Sequence, residues 1–116
     1  MHTYAAAAKI EVNGSISSSV GKNTTLYFVL DRNSTGVTLQ LTVHKGVVLV
    51  YASCKLSTPN EAFHDVRLFT DTITNEYIPC NTTNDTRLYI AVQGLDLINQ
   101  FTINSTTGDV STPQRK

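Results

Sequence analysis

Three groupings in this chain bring together residue types that could do chemistry. Asp31-Arg32-Asn33-Ser34-Thr35-Gly36 places oxygen side chains at positions one, three and five and a glycine at six, as the first half of a calcium-binding EF-hand loop does. Position twelve is Thr42, where a bidentate glutamate is required, and the flanking pattern is strand rather than helix. A polar turn is the better reading. Asp65, Asp71 and Glu76 supply a weak set of oxygen ligands only if their loops converge, and surface carboxylates are normally solvated. Ser53 has the partners of a nucleophilic site in His44 or His64 with Asp65. No Gly-X-Ser-X-Gly elbow presents it, however, and His44 falls on the polar side of its segment. Gly36, Gly46, Gly94 and Gly108 stand alone and suit turns, not a phosphate cradle. No catalytic residue, metal or cofactor is therefore expected, and the chain reads as a non-enzyme.

The asparagines say more. Acceptor triplets for N-glycosylation start at Asn13, Asn23, Asn33, Asn81, Asn84 and Asn104. None has proline in the middle, and about two would arise by chance from nine asparagines in a chain this rich in Ser and Thr. The competing explanation is that Asn favours turns and Thr favours strands. The excess points to a secreted or ectodomain setting. The two cysteines, Cys54 and Cys80, agree with it, because an extracellular chain with an even count usually pairs them. Two buried free thiols are the alternative; a metal pair finds no further His or Cys at ligand spacing.

The tyrosines Tyr27, Tyr51, Tyr77 and Tyr89 are the candidate binding surface, since each combines an apolar body with a polar tip. Filling of a β-sheet is the plainer use of them. There is no tryptophan, which counts against a sugar platform and leaves protein contact as the stronger binding reading.

What must position these residues is one domain. The chain has 116 residues, of which 41% are hydrophobic and 16% charged, with nine basic side chains against nine acidic ones. That length supports a single core. Zero net charge without like-charge runs excludes the footprint of nucleic-acid or anionic-membrane binding. The longest apolar run, residues 47–52, is far short of the ~18 needed to cross a bilayer. The start of the chain carries no secretory hydrophobic region. Residues 1–8 are expected as a disordered tail with Met1 added for expression, residues 9–106 as the domain, and residues 107–116 as a polar linker cut from a larger protein.

Period-two alternation runs through the domain. Val37, Leu39, Leu41 and Val43 face one way, and Thr38, Gln40, Thr42 and His44 the other. Lys45-Gly46 then turns the chain into the wholly apolar Val47-Val48-Leu49-Val50-Tyr51, which suits a strand covered on both faces; this pair is expected at the centre of the core. Further strands are expected at 9–12, 26–30, 62–70, 73–78, 88–92 and around Phe101 and Ile103, with residues 57–60 as the main loop. Seven or eight short strands divided by Gly, Asn and Ser predict an all-β, antiparallel two-sheet sandwich of jelly-roll-like form.

Leu26-Tyr27-Phe28-Val29, Thr38-Leu39-Gln40-Leu41-Thr42-Val43, Leu49-Val50-Tyr51-Ala52-Ser53, Leu88-Tyr89-Ile90-Ala91-Val92-Gln93-Gly94 and Phe101-Thr102-Ile103, taken in order, resemble the bacterial pre-peptidase C-terminal domain. The likeness spans roughly residues 10–104. It implies a jelly-roll-like β-sandwich, not itself catalytic, attached to secreted proteases and cell-surface proteins, and a Cys54–Cys80 bridge like one that some members carry. The chain differs from that family in its density of glycosylation triplets and in lacking an Asp-rich stretch after the central hairpin. Those differences point to a glycosylated, eukaryotic-type ectodomain. The expected task is non-catalytic: an extracellular module that makes protein contacts or spaces neighbouring domains of the same chain. A glycan- or collagen-binding module, and an accessory or export propeptide domain of a secreted protease, are the alternatives. Partners are protein or glycan, without nucleic acid or direct membrane insertion.

Overall fold

The computed structural model describes residues 8–11, 13–31, 36–55, 58–79 and 87–107. Strand-forming β-branched and aromatic residues in alternation produce nine strands: β1 (Ala8–Ile10), β2 (Ser15–Gly21), β3 (Thr25–Asp31), β4 (Val37–Lys45), β5 (Val48–Ser53), β6 (Val66–Thr70), β7 (Ile73–Ile78), β8 (Arg87–Gly94) and β9 (Ile98–Thr107). They form two sheets, one of five strands in the order β1-β3-β8-β5-β6 and one of four in the order β2-β9-β4-β7. All pairings are antiparallel except β1 with β3. The molecule is an all-β two-sheet sandwich.

The alternation expected of β4 holds except at Thr38, which was expected on the wet face and is buried. Val37, Leu39, Leu41 and Val43 are buried and meet Phe28, Leu30, Val50, Ile90 and Val92 of the other sheet in one core. Phe28 and Phe101 close its centre edge to face, with ring centroids 6.0 Å apart, the arrangement that ring quadrupoles favour. Every residue of β5 is buried, as its unbroken apolar run requires. One side of it faces the other sheet; the other side lies under the loop that follows.

Three local expectations change. β4 and β5 are not a hairpin: the turn at Gly46, whose φ is +85°, carries the chain from one sheet to the other. The 62–70 segment is a strand only over Val66–Thr70, because the residues before it are held as a loop by side-chain hydrogen bonds. β2 was not foreseen. Its Ser15-Ile16-Ser17-Ser18-Ser19 run has too few apolar residues to show alternation, yet it pairs with β9 in unbroken register from Ser15 opposite Asn104 to Gly21 opposite Ile98.

One end of the sandwich is tied by a side chain. Asn99 is fully buried, and its Oδ1 accepts from the backbone N–H of Val47 at 2.9 Å and of Asp96 at 3.1 Å. Its Nδ2 donates to the carbonyls of Val20 at 2.8 Å and Asp96 at 2.9 Å. That uses the full capacity of the amide group. Gly46 and Gly94 leave the room: a Cβ on Gly46 would collide with Asn99 Oδ1 and the Ile98 carbonyl, and one on Gly94 with Asn99 Nδ2 and the Gly21 carbonyl.

Candidate functional site

The outer faces of the two sheets are unlike. On the five-stranded sheet, the register sets Tyr27, Ala91, Tyr51 and Arg67 in one row, Val29, Tyr89 and Ser53 in the next, and Thr25, Gln93, Leu49 and Phe69 in a third. Leu49, Tyr51 and Ala91 form a second apolar cluster there, with Tyr27 and Leu95 packed against it. On the four-stranded sheet the corresponding positions are Ser17, Ser19, Thr102, Asn104, Gln40 and Thr42, with exposed Ile73 and Ile98 at the margins. Three of the four tyrosines thus share a face. Tyr77 stands apart on β7, its hydroxyl so near Gly36 that a Cβ there would lie 2.5 Å from it.

The loop from 58 to 65 is built to lie over Tyr51. Asn60 organises it as an Asx turn, its Oδ1 accepting from the N–H of Ala62 at 2.8 Å and of Phe63 at 3.0 Å and its Nδ2 donating to the Thr58 carbonyl at 3.2 Å. Asp65 fastens the loop to β5: its N–H donates to the Ala52 carbonyl and its Oδ2 accepts from the Cys54 N–H, both at 2.8 Å. The His64 ring rests on Tyr51 at a centroid distance of 5.0 Å, and Pro59 is the buried residue of the loop's first turn. Tyr51 is consequently only 7% exposed. Between the loop and Tyr27 remains a hollow of about 130 Å³ lined by Thr25, Tyr27, Tyr51, Pro59, Glu61 and Gln93, among others. Phe63 on the loop and Phe69 on β6 are 51% and 60% exposed.

Sequence reasoning missed the loop's part in this face. Pro59-Asn60 was legible as turn chemistry, but nothing in the local pattern says that the turn folds onto a strand several residues earlier.

The residues considered for catalysis are not assembled. Ser53 lies on the five-stranded sheet, is fully buried, and accepts a hydrogen bond from the Lys55 N–H at 3.1 Å. His44 lies on the outside of the other sheet, 2.8 Å from Thr102 Oγ1, which is in turn 2.7 Å from Ser17 Oγ. His64 is engaged with Tyr51 and, through Nδ1, with the Asn60 carbonyl at 2.9 Å. Asp65 holds its loop, and among the described residues no group of three His, Cys, Asp or Glu side chains is placed to hold a metal. Asp31 ends β3 between Lys9 at 3.2 Å and Arg87 at 3.5 Å, while Asn33 and Thr35 lie outside the described residues.

Of the glycosylation triplets, Asn13, Asn23 and Asn104 are described; Asn33, Asn81 and Asn84 are not. Asn13 and Asn23 occupy the left-handed region with φ of 59° and 60°, a conformation that asparagine tolerates better than most residues. Turn geometry alone accounts for those two. Asn104 is different: it sits in the middle of β9, outward-facing and half-buried, its Nδ2 donating to Gln40 Oε1 at 3.2 Å. No turn asks for asparagine there. Cys54 is buried, and no cysteine among the described residues is a free thiol; Cys80 lies outside them.

No family model, curated protein or solved structure matches the chain.

Proposed function

We propose that this is a non-catalytic extracellular β-sandwich module that contacts other proteins, or a neighbouring domain of its own chain, through the outer face of the five-stranded sheet. The observation that carries this is the contrast between the faces. One presents the exposed rings of Phe63 and Phe69 and the half-buried Tyr27, seated over the buried cluster of Leu49, Tyr51 and Ala91, and aromatic residues in a polar rim are what protein interfaces concentrate. The other is mostly hydroxyls and amides, Asn104 among them, with exposed Ile73 and Ile98 at its margins, chemistry that suits a largely solvated, sugar-bearing surface.

The extracellular reading draws on the six triplets, and on Asn104 above all, because no backbone demand explains that residue. It also takes Cys54 and Cys80 as a disulfide. The likeness to the pre-peptidase C-terminal domain enters only as the class of module proposed, a sandwich that accompanies other domains. A glycan-binding module is the second reading, favoured by a groove of about 450 Å³ on the hydroxyl-rich face lined by Ser17, Ser19, His44 and Gln100.

The domain produced through a secretory pathway and applied to an array of extracellular matrix proteins and glycans at neutral pH tests the proposal. Binding to proteins that is lost in Phe69→Asp is expected. Binding confined to glycans and weakened by His44→Ala would replace the contact reading with the second one.

A further inference from the structure

We propose that the hollow between Tyr27 and the 58–65 loop receives a cationic head group, the guanidinium of an arginine before any other, presented by the partner protein; this rests on the five-stranded face being the contact surface. The lining is two tyrosine rings, a proline, the neutral polar groups of Thr25 and Gln93, and one carboxylate, Glu61. Among the described residues no basic side chain lines it, Arg67 standing on the far side of Tyr51 in the same row. A cation over the half-buried ring of Tyr27 is attracted by the ring's quadrupole, and the exposed Glu61 among the lining residues gives the cation's N–H groups a charged acceptor. Arginine suits both at once, being planar, weakly hydrated and able to stack and to bond.

Other occupants fit less well. The volume is well below the ~300–1,000 Å³ of sites that enclose a whole small molecule, so a single head group is the natural size. A sugar needs an open aromatic platform, and Tyr51 is 7% exposed. It also needs amide groups to read its hydroxyls, and the Asn60 amide is consumed by its own loop. An anion would meet Glu61 with no cation to offset it.

The test titrates the folded domain with N-acetyl-arginine amide and with its neutral isostere, N-acetyl-citrulline amide, following backbone amide resonances. Saturable shifts at Thr25, Tyr27, Glu61 and Gln93 with the arginine probe alone are expected, weakened roughly fivefold in Glu61→Gln and lost in Tyr27→Leu. No response, an equal response to citrulline, or a Glu61→Gln variant that binds like the parent overturns the inference. A selection of short displayed peptides separates this from failure of the underlying reading. Peptides that need Tyr27 and Phe69 but carry no basic residue refute the cation site and leave the contact face standing. Peptides indifferent to Tyr27→Leu and Phe69→Asp remove both.

Discussion

At Asn99 a single side chain joins the end of β2, the turn into β5 and the turn into β9. The Asn99 side chain and its bond to the Val20 carbonyl are fully buried, and a buried donor or acceptor left without a partner costs about 1–3 kcal/mol. Asn99→Ala should therefore lower the free energy of unfolding by on the order of 3 kcal/mol in urea, whereas Asn75→Ala, exposed on β7, should change it by no more than about 0.5 kcal/mol. Equal losses would mean that the network is not what closes this end. Gly94→Ala tests the same place by steric means, since its methyl would meet the Gly21 carbonyl backbone. None of this was legible beforehand: Asn99 follows Ile98 in an ordinary strand pattern, and its importance comes from three segments far apart in the chain.

Among the elements, β4 was the most legible. Its alternating residues are written into the sequence over nine positions, and the face they choose is decided by burial alone. Leu41→Ala should cost about 2–5 kcal/mol by leaving a cavity in the core. Gln40→Ala, on the outer face with a part-buried bond from Asn104, should be nearly silent; comparable losses in thermal or urea unfolding would show the register to be wrong. The 58–65 loop was the least legible element, because its structure depends on a target. Asp65→Ala removes the acceptor of the Cys54 N–H and should cost about 1 kcal/mol, while hydrogen exchange at residues 60–64 accelerates more than exchange in β8. Uniform acceleration across both would mean that the loop and the sheet open as one unit. β2 escaped notice for a related reason: serines are neutral as to face, and only the fixed register of β9 beside it tells them where to point.

For the molecule as a whole, the chain passes between sheets at nearly every connection, and β5–β6 is the one pair of consecutive strands that are also neighbours in a sheet. Contacts of such long sequence separation must overcome loop-closure entropy before they stabilise anything. Refolding should accordingly take milliseconds to seconds, as for other sandwiches, and stopped-flow fluorescence of the tyrosines reads it; microsecond folding would contradict the interleaved order. The proposed Cys54–Cys80 link would shorten the largest such closures and should add on the order of 3 kcal/mol. Its reduction should lower the urea midpoint with the sheets intact by circular dichroism at low denaturant. If the proposed extracellular setting holds, mass spectrometry of the domain produced through a secretory pathway, before and after glycosidase, should show occupancy at Asn104, lost in Thr106→Ala.

Alternation, turn residues and the single unbroken apolar run determined, without any structure, that this chain is a layered β-protein, which β4 residues face inward, and that β5 is covered on both sides. Those features are local consequences of a two-residue repeat and of water's exclusion from apolar side chains. Which strands are neighbours was decided only in three dimensions, where Lys45-Gly46 proved to be a passage between sheets. So were the service of Asn99 and the placing of a loop over Tyr51 to leave a hollow beside Tyr27. Hydrogen bonds and packing between distant segments have no periodicity along the chain, and their partners become visible only when the two sheets close.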